Sequence, residues 1–203
     1  MTNTSYKIIV FDLGMVILPF DYDIALERLE KIEKGFGARY LNHFKSNYET
    51  HRQFERGDIS EEEFLNNTLN IFDGKVNKET FITIYSEIFT LNENVATLLP
   101  ELKKKYRLML LSNTNPIHYR FWIKFDFVKN FEKLFLSHEV RAVKPEEKIY
   151  KAVEHYTKAL PEEHVFIDDV KEYADAAKKL GWDAIQFTGY DNLLKELKKR
   201  NIM

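Results

Sequence analysis

Four short strings set oxygen-bearing and cationic side chains at or after the ends of apolar runs: Phe11-Asp12-Leu13-Gly14, Leu111-Ser112-Asn113-Thr114-Asn115, Val143-Lys144-Pro145 and Ile167-Asp168-Asp169. Singly each is ordinary. An aspartate after a strand commonly forms an Asx-turn or a helix cap, a Ser-Asn pair commonly turns the chain, and a lysine commonly solvates a surface. If they converge, three carboxylates, one ammonium and one hydroxyl share one place, which is electrostatically costly unless a divalent cation and an anionic ligand balance them. Oxygen-only donors favour magnesium over zinc. The chain has no cysteine, which excludes disulfides, thiolate catalysis and Cys-based zinc sites.

Convergence needs a scaffold that brings strand ends together. The runs Lys7–Phe11, Arg107–Leu111, Lys133–Leu136, His164–Ile167 and Ala184–Phe187 have the length and β-branched or aromatic content of buried strands. Helical spacing marks Val95–Tyr106, Ile117–Phe125, Glu146–Tyr156, Tyr173–Leu180 and Asn192–Lys199. Gly181 supplies a helix stop, and Glu146 and Glu147 after Pro145 complement a helix N-terminus. The alternation predicts an α/β fold, a three-layer, Rossmann-like parallel sheet core, with ligands beyond the carboxyl ends of its strands.

The long interval between the first and second strands breaks this rhythm. From about Asp21 to Asn92 it reads as helices interrupted at Gly35–Gly37, Arg56-Gly57-Asp58 and Asp73-Gly74, with Ser60 and Glu63 spaced as a capping box. The expected organisation is a core of residues 1–18 and 93–203 with a small helical cap, residues 19–92, inserted after the first strand.

Of the 203 residues 44% are hydrophobic and 31% charged, as in a globular protein that dissolves in water, and the formal net charge is -2. Lys and Arg are interspersed with Asp and Glu, so no basic patch points to nucleic acid or an anionic membrane, and a small molecule is the expected partner. Met1 to Tyr6 is polar and no apolar run approaches the roughly 20 residues of a membrane span, so the expected location is cytoplasmic.

In order and approximate spacing, the four strings resemble the signature motifs of the haloacid dehalogenase (HAD)-like hydrolase superfamily, over essentially the whole chain. The resemblance implies a magnesium-dependent phosphatase with Asp12 as nucleophile, forming an aspartyl-phosphate. It further implies that Ser112 and the backbone amide of Asn113 hold the phosphoryl oxygens. Lys144 would stabilise Asp12 and the transferring group, and Asp12, Asp168, Asp169 and the Gly14 carbonyl would ligate Mg2+. The strings from Phe11 to Ile17 and from Leu111 to Asn115, followed by His118 and Trp122, and the cap string Glu55-Arg56-Gly57-Asp58-Ile59-Ser60 are similar to the subgroup that includes bacterial α-D-glucose-1-phosphate phosphatase. The implied substrate is a small phosphorylated metabolite such as a sugar 1-phosphate.

Two positions depart from the family pattern. Most phosphatases of the superfamily carry a general-acid Asp where this chain has Gly14, a group typically worth ~10²–10⁴ in rate. An anomeric leaving group would depend on it less. Tyr173 stands where related sequences commonly have Asn; it cannot reproduce amide geometry, and its expected part is to cover the metal site. In the cap, His51, Arg52 and Arg56 could meet the substrate or lie on a solvated face. His118 could shuttle protons and bind the substrate, or pack with Trp122 one helical turn on. Two rival functions are a metal-free haloacid dehalogenase and a degenerate, non-catalytic binding module. Against the first stands Asp168-Asp169, which calls for a cation; against the second, the retention of the remaining motif residues.

Overall fold

The computed structural model describes residues 6–203, so the polar start Met1–Ser5 lies outside the described residues. Strands β1 (Ile8–Phe11), β2 (Arg107–Ser112), β3 (Lys133–Leu136), β4 (His164–Asp168) and β5 (Asp183–Gln186) form one sheet in the order β3-β2-β1-β4-β5. Every neighbouring pair is parallel. The chain leaves β1 toward β2 and later returns to its other side as β4, so the order reverses at β1, where such sheets open a crevice for ligands. Register puts Phe11 level with Leu110 and Ile167, and the residues that follow, Asp12, Leu111 and Asp168, come level at one edge.

Between β1 and β2 lie α1 (Tyr22–Ile32), α2 (Phe36–Ser46), α3 (Tyr48–Arg56), α4 (Glu61–Leu69) and α5 (Lys78–Ser86). They enclose their own apolar cluster, including Leu29, Phe36, Phe54, Phe72 and Phe81, to which the core contributes Ile117. The Ser60 capping box forms as its spacing predicts: Glu63 N donates to Ser60 Oγ at 3.2 Å and Ser60 N to Glu63 Oε2 at 2.8 Å. Gly57 ends α3 at φ 80°, and a Cβ there would stand 2.4 Å from the His138 carbonyl oxygen. Both the left-handed backbone and the close approach require glycine.

The remaining helices are α6 (Glu93–Ala96), α7 (Leu99–Lys103), α8 (Pro116–Trp122), α9 (Ser137–Val140), α10 (Glu147–Thr157), α11 (Lys171–Lys179) and α12 (Tyr190–Lys199). Strand alternation sends Ile9, Phe11, Leu108, Leu110, Val165 and Ile167 to the face covered by α6, α7 and α12. Ile8, Val10, Met109, Leu111 and Phe166 go to the face covered by α10 and α11. The expected three layers are present. One expected helix, Val95–Tyr106, is two, because the chain turns at Thr97 and restarts with Pro100 in the first turn of α7, where its missing N–H costs nothing. The last strand begins one residue earlier than its apolar run, since Asp183 pairs with Val165. Among the described residues no helix is long and apolar enough to cross a membrane.

Candidate active site

The four chemical strings meet at the carboxyl edge of the sheet. Lys144, 1% exposed, stretches under the edge so that Nζ donates to Asp12 Oδ1 at 2.7 Å and to Asp168 Oδ2 at 2.6 Å. Asp168 Oδ1 accepts from the Val170 amide at 2.8 Å, so both of its oxygens are engaged. The Asn113 side chain pins the Lys144 backbone, accepting from its N–H at 2.8 Å and donating to its carbonyl at 3.2 Å. This positioning by the side chain adds to the amide role expected of Asn113. The lysine is also held by rings: Nζ lies 5.1 Å from the Tyr173 centroid and 5.5 Å from that of Phe166.

Above this edge opens a cavity of about 300 Å³. Asp12, Gly14, Ser112, Asn113, Lys144, Asp169 and Tyr173 line it from the core, and Tyr22, Phe44, Tyr48, His51, Arg52 and Glu55 from the cap helices. Burial pushes the Asp12 carboxyl above its usual range; Lys144 pulls it back, but Asp168 and Asp169 reinforce the rise. Burial and then Asp168 likewise raise Asp169. Burial alone would lower Lys144, yet Asp12 and Asp168 hold it above its ordinary value and keep it charged. One ammonium thus faces three carboxylates, and the imbalance remains in the two aspartates.

A divalent ion fits that imbalance. One oxygen from each of Asp12, Asp168 and Asp169 can be chosen so that all lie within 4.8 Å of one another, and hard oxygen donors suit magnesium. Asp12 and Asp169 face the cavity, whereas Asp168, fully buried, is turned to Lys144 and stands one step back. The Gly14 carbonyl already accepts from Val16 N at 2.6 Å, leaving one lone pair.

Several expected roles change. Arg56 does not line the cavity; at the last residue of α3 it reaches outward to Glu146 at 2.7 Å and Asp58 at 3.4 Å, and Arg52 takes the inward place. His118 borders the cavity but has no free nitrogen: Nε2 donates to the Tyr85 carbonyl at 3.1 Å, which leaves Nδ1 to accept from Asn115 Nδ2 at 3.2 Å. Burial pushes it down to about 3, so the ring is neutral near pH 7 and acts as packing rather than as a proton shuttle or phosphate ligand. Tyr173 covers the lysine with its ring face, a cation–π contact in place of an amide hydrogen bond. At Gly14 a Cβ would meet Phe20 Cε1 at 3.1 Å, and Phe20 is itself wedged edge-on against Tyr22 and Phe89. A side chain at this position would press on that ring from its first carbon.

Sequence reasoning passed over Glu55, Tyr22 and Phe20. The His51-to-Glu55 spacing of one helical turn was the available signal for Glu55.

A model of the haloacid dehalogenase-like hydrolase family matches residues 9–187. The chain is 25% identical over 191 residues to the D-ribitol-5-phosphate phosphatase of Bacteroides thetaiotaomicron, an alignment covering 89% of this chain and 91% of the relative. An HAD family enzyme from the same organism superposes with a TM-score of 0.79 at 28% identity, over 89% of this chain and 93% of that one. A magnesium complex of that enzyme matches with a TM-score of 0.78 at 28% identity, over 90% and 93% of the two chains. An HAD-like hydrolase from Porphyromonas gingivalis, 22% identical, shares the fold with a TM-score of 0.79 over 96% of this chain and 98% of its own. These comparisons support the family broadly and not the glucose-1-phosphate subgroup within it. With its signature strings gathered at one sheet edge, the chain belongs to the haloacid dehalogenase-like hydrolase family and is a hydrolase.

Proposed function

We propose that the protein is a magnesium-dependent phosphatase that hydrolyses a small phosphorylated metabolite, a sugar or sugar-alcohol phosphate, through an aspartyl-phosphate on Asp12. The observation that carries this reading is the buried Asp12 carboxylate, gripped by Lys144 and sharing an ion-sized cluster with Asp169 in the cavity between core and cap residues. Asp12 and Asp169 would hold the ion directly, and Asp168 would orient Lys144. Bound magnesium supplies positive charge that lets a carboxylate approach a phosphate dianion.

Asp12 then attacks phosphorus in line. An oxygen–phosphorus bond forms to Asp12 as the ester bond to the leaving group breaks, and the departing alkoxide takes its proton from water. Lys144 and the Ser112 hydroxyl with the Asn113 amide neutralise charge on the transferring group. Water cleaves the acyl phosphate, returning the Asp12 carboxylate and inorganic phosphate. The neighbouring Bacteroides enzyme has been crystallised with magnesium and inorganic phosphate, which supports the same assignment here. Metal-free halide displacement is disfavoured because it leaves Asp169 beside Asp12 and Asp168 without a compensating cation.

With Gly14 in place of an acid, a sugar 1-phosphate suits the site through its more acidic leaving hydroxyl. The ribitol 5-phosphate for which the Bacteroides relative is named supports a sugar-alcohol ester instead. A phosphate-ester screen with and without magnesium, beside Asp12→Asn, tests the reading. Turnover of sugar or polyol phosphates that needs both magnesium and Asp12 is expected; activity insensitive to chelator, or unaltered in the variant, would overturn it.

A further inference from the structure

The cap wall carries a carboxylate to which the chemistry above gives no task. Glu55 lies near the end of α3, and its backbone carbonyl accepts a hydrogen bond from the buried Ser137 hydroxyl of the core at 2.5 Å, so the cap is tied to the core at this residue. Its side chain, 16% exposed, faces the same cavity as Asp12. A relay orients it. Asn115 Nδ2 donates to Tyr85 Oη at 3.1 Å, the Tyr85 hydroxyl donates to His51 Nδ1 at 3.4 Å, and His51 Nε2 faces Glu55 Oε1 at 3.4 Å. Arg52 Nη1 lies 3.5 Å from Glu55 Oε2.

Both contacts to the carboxylate are long for charge-assisted hydrogen bonds, and a carboxylate has about four acceptor sites. Among the described residues no other donor reaches it. Although burial would raise it, the His51 and Arg52 donors keep the carboxyl below its usual range, so the group stays an ionised acceptor. Beside it, the Tyr22 hydroxyl and the remaining Arg52 N–H groups have no hydrogen-bond partner among the described residues, and both side chains line the cavity. An ionised, largely buried carboxylate short of donors, flanked by donors short of acceptors, matches a ligand group that both donates and accepts. Adjacent hydroxyls on a carbon chain do so. Arg52 already balances the charge, so a cationic tail is not needed, and an anionic tail would meet Glu55.

Resting on the phosphatase reading, we propose that Glu55 is the specificity-determining residue of the cap, accepting hydrogen bonds from vicinal hydroxyls of the leaving group while Arg52 and Tyr22 donate to them. The substrate class is a phosphate monoester of a neutral polyhydroxy chain.

The test compares kcat/KM for a pentitol phosphate, the alkyl phosphate of the same chain length and ethanolamine phosphate, in wild type, Glu55→Gln and Tyr22→Phe, with magnesium present. The pentitol and alkyl esters differ in their hydroxyls, which act through contacts and through leaving-group acidity; the acidity is the same for every variant, so the change of the ratio in Glu55→Gln isolates the contacts. Wild type is expected to favour the pentitol ester by about 100-fold or more, since a site built to hydrogen-bond hydroxyls strongly rejects an analogue lacking them. Glu55→Gln is expected to lower that ratio at least about tenfold, mainly through KM, and Tyr22→Phe less. A wild-type ratio near one overturns the proposal even if Glu55→Gln fails to fold, and so does a ratio unmoved by Glu55→Gln. Preference for ethanolamine phosphate makes Glu55 a cation subsite and also overturns it. In each of these cases magnesium-dependent turnover of the alkyl ester leaves the phosphatase reading standing; absence of any ester hydrolysis removes both.

Discussion

The core wall of the cavity hangs its polar groups on strand ends, whereas the cap wall hangs them on one face of α3, and the two are charged differently. Asp12 and Asp168 are placed by sheet register, and Lys144, in the loop after α9, by the hydrogen bonds of the Asn113 side chain to its backbone, with more carboxylates than cations. His51, Arg52 and Glu55 are placed by a side-chain relay through Tyr85 and Asn115, with charges matched. A rigid wall can store electrostatic imbalance for use on a ligand, because its ladder hydrogen bonds oppose relaxation. A wall held by side chains can exchange its donors and acceptors without disturbing the sheet. The contrast predicts that substitutions in the core wall change rate and metal binding, while those in the cap wall change which ester is accepted.

The sharpest break is Asp12→Asn. Loss of the nucleophile should lower kcat by on the order of 10⁴-fold or more, as for other residues that act as one catalytic unit. The thermal midpoint should not fall, since burial, with Asp168 and Asp169, disfavours this carboxylate more than Lys144 favours it. Steady-state kinetics beside a melting curve read both, and a large loss of stability would contradict a stored imbalance. Lys144→Met acts in the opposite sense, leaving Asp12 and Asp168 buried without their shared cation. Breaking such a pair typically costs about 3–5 kcal/mol, measurable by denaturant titration. Magnesium at about 100 times its dissociation constant should stabilise the wild type by about 2.7 kcal/mol. Asp169→Asn should abolish most of that gain, because Asp169 is a cavity-facing member of the cluster.

The same division decides what could be read from the sequence. Asp12, Ser112 and Asp168 were legible because each stands at the end of an apolar run, and a parallel sheet forces such ends to one edge, whereas Lys144, in the loop beyond α9, was reached through the family resemblance. The cap had no equivalent rule. Whether Arg52 or Arg56 turns inward depends on where α3 meets α9 and on Gly57 lying against the His138 carbonyl, a tertiary contact that helical spacing does not encode. The absent acid at Gly14 was visible as a missing side chain, but the Phe20 ring lying against that position was not. Likewise His118 carried two readings until the Tyr85 carbonyl and Asn115 were seen to occupy both nitrogens.

That histidine gives a pH test of the cap–core seam. Its folded value is depressed to about 3 against an unfolded value near 6.5, so the folded state keeps it neutral while the unfolded chain takes up a proton as pH falls. Its contribution to stability is therefore intact above about pH 6.5 and is lost by about 1.4 kcal/mol per unit as pH drops below it. His43, His138 and His164 are shifted in the same direction, so the informative quantity is the difference from His118→Gln, which keeps a donor and an acceptor. Stability against pH should be shallower in the variant between about pH 6 and pH 4; equal slopes would mean that the ring is not held neutral.

The smallest expected effect concerns the other side of the seam. Arg120 of α8 meets Glu61 at the start of α4 in a two-pronged pair, at 2.7 and 3.0 Å, and its side chain is 52% exposed. Solvent screening and the entropy of ordering a long side chain leave such pairs with about 0.2–1 kcal/mol. A double-mutant cycle of Glu61→Gln and Arg120→Met should return a coupling in that range that shrinks as salt rises, because the Debye length falls. The buried contacts of Tyr85 with Asn115 and His118 should carry the attachment instead, being satisfied and shielded from water. A coupling well above about 1 kcal/mol that persists in high salt would reverse the assignment and make the surface clamp, rather than the buried relay, the element that holds Glu55 in the cavity wall.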